Sequence, residues 1–235
     1  MFSTSRIITI LISVGLVMLS AIPHEVAHGW MASRLGDPTA KRAGRLTLNP
    51  AAHIDPFGSI ILPLIMGAFG GPIFAYAKPV PYNPMNFDPK TRNRDEALVA
   101  LAGPVCNFLQ ALAGAAVWRL AYWGFTSGLQ SGSLAVDPWY NVAYWTLMIL
   151  STYVYVNLML MCFNLIPLPP LDGSKVISPL FRSERSRRAY YQVQQYAMPI
   201  LIVALYLIPY ALGVDPLGWI LDSTAGSLFD LLMGA

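Results

Sequence analysis

The sequence predicts an all-α polytopic membrane protein with four transmembrane helices, rising to five or six if shorter apolar stretches also cross. A small membrane re-entrant β-hairpin region is expected between the first two spans. Three observations carry this reading. The 235-residue chain is 55% hydrophobic and only 11% charged, against roughly 25% charged for an average soluble domain. Four stretches approach or exceed the roughly 20 apolar residues that a bilayer crossing needs. Between the first two, residues 36–96 are interrupted by prolines and glycines and alternate in polarity in places.

The elements follow in chain order, all within one membrane domain over residues 1–235. The first span covers 7–32 and carries His24-Glu25-Val26-Ala27-His28. Its start, with Arg6 and Leu19-Ser20-Ala21, has the form of a cleaved signal peptide. Cleavage there would strip the helix from the histidine pair, so the segment is expected to be retained. Pro23 removes a backbone bond to the carbonyl of Leu19 and can bend this helix. In the 36–96 region, Arg45-Leu46-Thr47-Leu48 alternates and Ala75-Tyr76-Ala77-Lys78-Pro79-Val80-Pro81 reads as extended. Open strand edges are not tolerated in lipid, so these strands must pair, face protein or line a wet cavity. Such an edge could bind an extended peptide by strand addition; an ordinary cytoplasmic hairpin fits the pattern equally well. The later spans are 97–125, 143–167 and 196–212. Residues 168–188 form a basic loop after the third span, and 217–232 read as an amphipathic surface helix.

Basic residues set the orientation. Phe57 to Ala77 is uncharged but broken by glycines and prolines, and basic clusters flank it on both sides. A re-entrant dip keeps both clusters in the cytoplasm, in keeping with the positive-inside tendency. Residues 126–142 carry no Lys or Arg, residues 172–188 carry five, and residues 189–235 carry none. Both termini are therefore expected outside, with Arg6 the one contrary charge. Cys106 and Cys162 lie in apolar segments without secreted-type spacing and are expected to be reduced.

The chemistry starts from His24 and His28. Positions i and i+4 share a helix face, so both imidazoles can reach one metal ion, with Glu25 beside it. A catalytic zinc takes three protein ligands and keeps one position open. The third ligand could be His53 or a carboxylate. Asp172 is favoured, because it follows the third apolar span after Asn164-Leu165-Ile166-Pro167-Leu168-Pro169-Pro170-Leu171, where an unpaired charge is costly. The bland reading makes Asp172 a helix cap. His53 sits among turn formers near Asp55 and is read as structural. Asn107 and Asn164 are polar groups in apolar spans that bond between helices or, for Asn164, face a metal cavity. Three histidines in the whole chain are too few for a membrane di-iron oxygenase.

These residues resemble the site-2 protease family of intramembrane zinc metalloproteases. His24-Glu25-Val26-Ala27-His28, Ala102-Gly103-Pro104-Val105-Cys106-Asn107 and Asn164 to Gly173 with its Leu171-Asp172-Gly173 end match the family's motifs in order. The resemblance covers residues 7–212. It implies one Zn2+ per chain held by His24, His28 and Asp172, with Glu25 as general base. Asn164 would support substrate or oxyanion, and Asn107 belongs to the same set. It also implies a re-entrant β-hairpin, as in bacterial members. The 126–142 link is too short for the PDZ domain of larger members, and no nucleotide-binding module follows the fourth span, so the chain resembles the small PDZ-less prokaryotic branch. The expected activity is hydrolysis of peptide bonds within or near transmembrane segments of membrane-protein substrates. The expected setting is the cell membrane of a prokaryote, with the active site nearer the cytoplasmic side and the lipid bilayer, not nucleic acid, as surroundings. A metal-cation transporter and an inactive membrane scaffold are the alternatives. No internal repeat supports the first, and the intact set of ligands and base opposes the second.

Overall fold

The computed structural model describes residues 4–61, 65, 77–132, 136–181 and 183–234. Three long helices dominate: α1 over Thr4–Arg34, α3 over Arg92–Gln130 and α4 over Val136–Asn164. Between α1 and α3 lies the single turn α2, Thr39–Arg42. Helix α5 spans Asp172–Ile177, α6 Glu184–Gln195, α7 Ala197–Ile202, α8 Ile208–Leu212 and α9 Pro216–Met233. With 39 residues, α3 runs about 58 Å, well beyond the roughly 30 Å hydrocarbon core. Its first turns, with Arg92, Arg94 and Asp95, carry the charge that the apolar middle excludes.

Helices α1, α3 and α4 pack together, and α9 docks on α4. The core at the α3–α4–α9 contact is Ala111 and Ala115, Val154 and Leu158, and Ala225. Small residues let the backbones approach, which is how helices associate where lipid is as apolar as the side chains. Large apolar groups such as Leu109, Leu120, Trp123 and Trp145 point outward and are exposed. That inversion of the usual soluble pattern fits a lipid-facing perimeter. Among the described residues, three helices are long and apolar enough to cross a membrane: Leu11–Arg34, Arg92–Gln130 and Trp139–Asn164.

The fourth expected span is not one helix. Helix α7 gives way to a wider turn over Val203–Leu207 before α8, and α6 with the segment Pro199–Leu212 is bent by 70°. Pro199 cannot donate to the carbonyl of Gln195, and Pro209 interrupts a second time. A fourth crossing exists only if this bent pair is counted as one. The 217–232 helix is present as α9, with Leu221 and Ala225 buried.

The re-entrant β-hairpin is a correction: no strand occurs among the described residues. Most of the 57–77 stretch lies outside them, so its predicted dip is not described. Residues 77–83 carry no helix, turn or ladder, with Asn83 in the extended region. Pro79 and Pro81 have no N–H to donate. The carbonyls of Lys78 and Pro79 instead accept from Nη2 of Arg45, at 2.8 and 3.4 Å, and the Lys78 N–H donates to the His53 carbonyl at 2.8 Å. Arg45-Leu46-Thr47-Leu48, whose alternation suggested a strand, forms a bend at Leu46 and Thr47 instead.

Asp37 anchors this strap where α1 ends. It is fully buried and accepts from the N–H and hydroxyl of Thr39, the N–H of Asn83 and the amide of Asn86. Burial alone would raise its pKa, but the hydrogen bonds from Thr39, Asn86 and Asn83 outweigh it and hold the carboxyl below its ordinary value. A depressed folded value means the stabilisation is whole above the ordinary carboxylate pKa of about 3.9 and is lost as pH falls through the folded one. We expect Asp37→Asn to lower Tm by roughly 5 °C near neutral pH. Thermal unfolding in detergent should show that gap narrowing below about pH 4. A gap independent of pH would refute the carboxylate's role.

Candidate metal centre and active site

Helix α1 presents His24 and His28 on one face, both buried, with Glu25 beside them. The Nε2 atoms of the two histidines lie 3.0 Å apart, and Oδ2 of Asp172 lies 3.2 Å from each. Asp172 comes from the first turn of α5, about 150 positions away in sequence. Helix α5 abuts α3, and Gly173 makes the approach to the end of α4 possible. A Cβ there would stand 2.2 Å from the Leu165 carbonyl oxygen.

The outer nitrogens of both rings are engaged, which decides the character of the inner ones. Nδ1 of His28 lies 2.7 Å from the Val99 carbonyl, which can only accept. Nδ1 of His24 faces Oδ1 of Asn107, whose amide nitrogen is turned to Oδ1 of Asn157 and the Ser20 carbonyl. In the neutral rings both Nδ1 atoms therefore carry the proton, and both Nε2 atoms present lone pairs. Two lone pairs and a carboxylate oxygen then converge with no donor among them. Oδ2 of Asp172 is buried without a hydrogen-bond partner. Such a set repels itself unless a cation joins it.

The spacing suits zinc. Bonds of about 2.0–2.1 Å at tetrahedral angles put ligand atoms about 3.3 Å apart, close to the 3.0–3.2 Å seen here. Ligand atoms of His24, Glu25 and His28 all lie within 4.8 Å of one another. The donors therefore fit a single zinc, which His24, His28 and Asp172 could hold.

Beside the metal-facing Nε2 atoms the packing is tight. A Cβ on Gly103 would fall 2.5 Å from Nε2 of His28 and 2.6 Å from Nε2 of His24. We expect Gly103→Ala to push the imidazoles aside and weaken zinc binding about ten-fold or more. Metal titration of the purified protein checks this, and unchanged affinity would mean that the rings tolerate the shift.

In front lies a cavity of about 260 Å³, lined by His24, Glu25, His28, Asn164, Asp172 and Lys175 among others. Glu25 accepts the Val80 N–H at 2.9 Å through Oε2. The Lys175 ammonium stands 5.3 Å from the Tyr82 ring centroid. Burial would lower its pKa, but Tyr82 and Asp172 raise it, so the cavity wall keeps a positive charge.

Of the residues singled out by sequence, His24, Glu25, His28, Asp172 and Asn164 share the cavity. Asn107 does not line it; it sits behind His24, fully buried. His53 is elsewhere, its Nε2 2.7 Å from the Thr47 carbonyl, while Asp55 accepts from the N–H groups of Phe57 and Gly58. Asp172 makes no capping bond at the start of α5. Sequence reasoning missed Asn157, which also donates to Ser20 Oγ at 2.9 Å. A polar amide inside an apolar span was the available signal, the same one that marked Asn107. The roles of Lys175, Tyr82 and the Val80 amide had no such signal.

Comparison with known proteins agrees with this arrangement. The chain matches peptidase family M50 over residues 11–208. It is 35% identical over 193 residues to the Bacillus subtilis protein named "Putative zinc metalloprotease YwhC", covering 82% of this chain and 78% of that one. It is 30% identical over 197 residues to the Mycobacterium tuberculosis protein named "Putative zinc metalloprotease Rip2", covering 82% of this chain and 65% of that longer one. The Rip2 protein of Mycolicibacterium smegmatis is 29% identical over 188 residues, with 80% and 64% covered. No solved structure matches the chain. With a match that spans most of its length, this multi-pass membrane protein belongs to peptidase family M50, the site-2 proteases.

Proposed function

We propose that the chain is an intramembrane zinc metalloprotease that cleaves peptide bonds within or near transmembrane segments of membrane-protein substrates. One observation carries the reading. Three acceptor atoms from His24, His28 and Asp172 converge at zinc spacing in a cavity shared with Glu25, amid helices apolar enough to cross a bilayer. In this reading His24, His28 and Asp172 hold one zinc per chain. The bound ion would acidify water and polarise a carbonyl. Glu25 accepts the proton of the attacking water and returns it to the leaving amine. Asn107 and Val99 fix the tautomers of the two imidazoles, so their Nε2 atoms stay available as ligands. Asn164, on the cavity wall, supports the substrate or the developing oxyanion.

The substrate segment must unwind before cleavage, because an intact helix ties up its own carbonyls. Pairing to residues 77–81 gains little support, since Arg45, His53 and Glu25 already engage the polar groups of Lys78, Pro79 and Val80. We place the protein in a prokaryotic cell membrane, termini outside and the active site nearer the cytoplasm, on the distribution of Lys and Arg. An impermeant thiol reagent should label a cysteine introduced near residue 2 from outside; labelling only in opened cells would reverse the orientation.

The direct test uses purified protein in lipid vesicles with a transmembrane peptide. Cleavage should stop on chelation and return with one equivalent of zinc. Cleavage indifferent to chelation, or metal flux without any cleavage, would sink the proposal.

A further inference from the structure

The strap over residues 77–83, which belongs to no helix or sheet, passes directly beside Glu25. Pro79-Val80-Pro81 contains one backbone N–H, because proline has none. That single donor goes to Oε2 of Glu25 at 2.9 Å. The residue carrying it is held on several sides. Val80 is buried, Arg45 grips the carbonyls of Lys78 and Pro79, and the Lys78 N–H reaches the His53 carbonyl. His53 is itself buried and bonded to Thr47, and Asp37 takes the N–H of Asn83 at the far end. A strap anchored on both sides of Val80 fixes where that amide points.

We propose that the Val80 main-chain N–H is a positioning group for the general base. It occupies Oε2 of Glu25, sets the rotation of the carboxylate and leaves Oε1 to exchange the proton during hydrolysis. A carboxylate on a flexible side chain samples several rotamers, and holding one of them saves the ordering cost at each turnover. Flanking prolines serve the same end: they stiffen the strap and supply no rival donor. This gives Arg45, His53 and Asp37 a shared purpose, since each stabilises the segment that delivers the amide. The inference rests on the protease reading above, with Glu25 as base.

Two measurements test it. In zinc-free protein, amide hydrogen exchange reports the contact without any activity, and a fragment covering residues 79–81 contributes one exchanging amide, Val80. It should exchange at least about ten-fold faster in Glu25→Ala than in wild type; equal rates would overturn the proposal. Second, replacing the Val80 amide with an ester removes the N–H and leaves the side chain in place. We expect kcat for a transmembrane peptide to fall at least about ten-fold with KM within about two-fold and zinc content unchanged. Unchanged kcat in the ester variant, or loss of its zinc, would overturn the positioning role. If wild type cleaves nothing, the protease reading fails instead, and the exchange measurement still reports on the contact.

Discussion

Glu25→Gln is expected to retain zinc and to lower kcat for cleavage of a transmembrane peptide by about 10³-fold. General acid–base catalysis contributes typically 10²–10⁴-fold, so the loss corresponds to about 4 kcal/mol of barrier. Glutamine preserves the shape and can still accept the Val80 N–H through its amide oxygen, but it cannot take up a proton at neutral pH. The zinc should remain because His24, His28 and Asp172, not Glu25, make the converging triad. Two assays read this: metal content by elemental analysis, and turnover in vesicles. Cleavage at the wild-type rate would remove Glu25 from the mechanism. Loss of the metal would instead make it a ligand.

Asp172→Ala is expected to weaken zinc binding by at least about 100-fold and to abolish cleavage with it. Two histidines alone make a poor zinc site, since structural and catalytic sites use three or four protein ligands. The carboxylate also balances the charge of the ion in a site where all three side chains are largely buried. Asp172→Asn should fall between, keeping an oxygen in place without the charge. Metal titration checks both. Zinc affinity equal to wild type would return Asp172 to a role in starting α5, where the structure gives it no capping bond.

The two halves of this site differ in how far the sequence disclosed them. His24 and His28 are four residues apart on a helix, so their common face follows from 3.6 residues per turn alone. Asp172 was legible for another reason: a carboxylate closing an apolar, proline-broken run has few inexpensive explanations. That it stands 3.2 Å from both nitrogens depends on α3 and α4 bringing the chain back, with Gly173 permitting the close approach. Asn107 was read either as a bond between helices or as support for the substrate, and it lies behind His24, bonded to Ser20 of α1 and Asn157 of α4. A polar amide in an apolar span marked it, but the sequence could not say which partners it would meet.

The strap over residues 77–83 is the plainest limit of pattern reading. Alternation and prolines suggested strands and a hairpin, but neither occurs among the described residues of this region. Backbone donors and acceptors can be satisfied by side chains as well as by a neighbouring strand. Here Arg45 and Glu25, both distant in sequence, take that part. The broken 196–212 segment shows the same limit from the other side. Its hydropathy suits a span, but Pro199 and Pro209 break the continuous backbone bonding that a straight crossing requires.

By itself the sequence determined the apolar helices, the chemistry of the metal-binding residues and the membership of a protease family, because these depend on residue type and short-range period. Only the tertiary structure decided which atoms of those residues meet, which nitrogen of each histidine is left open, and that a lone amide between two prolines donates to Glu25. Those are matters of long-range packing, set by where three helices cross and by which polar groups are left to find partners once they have done so.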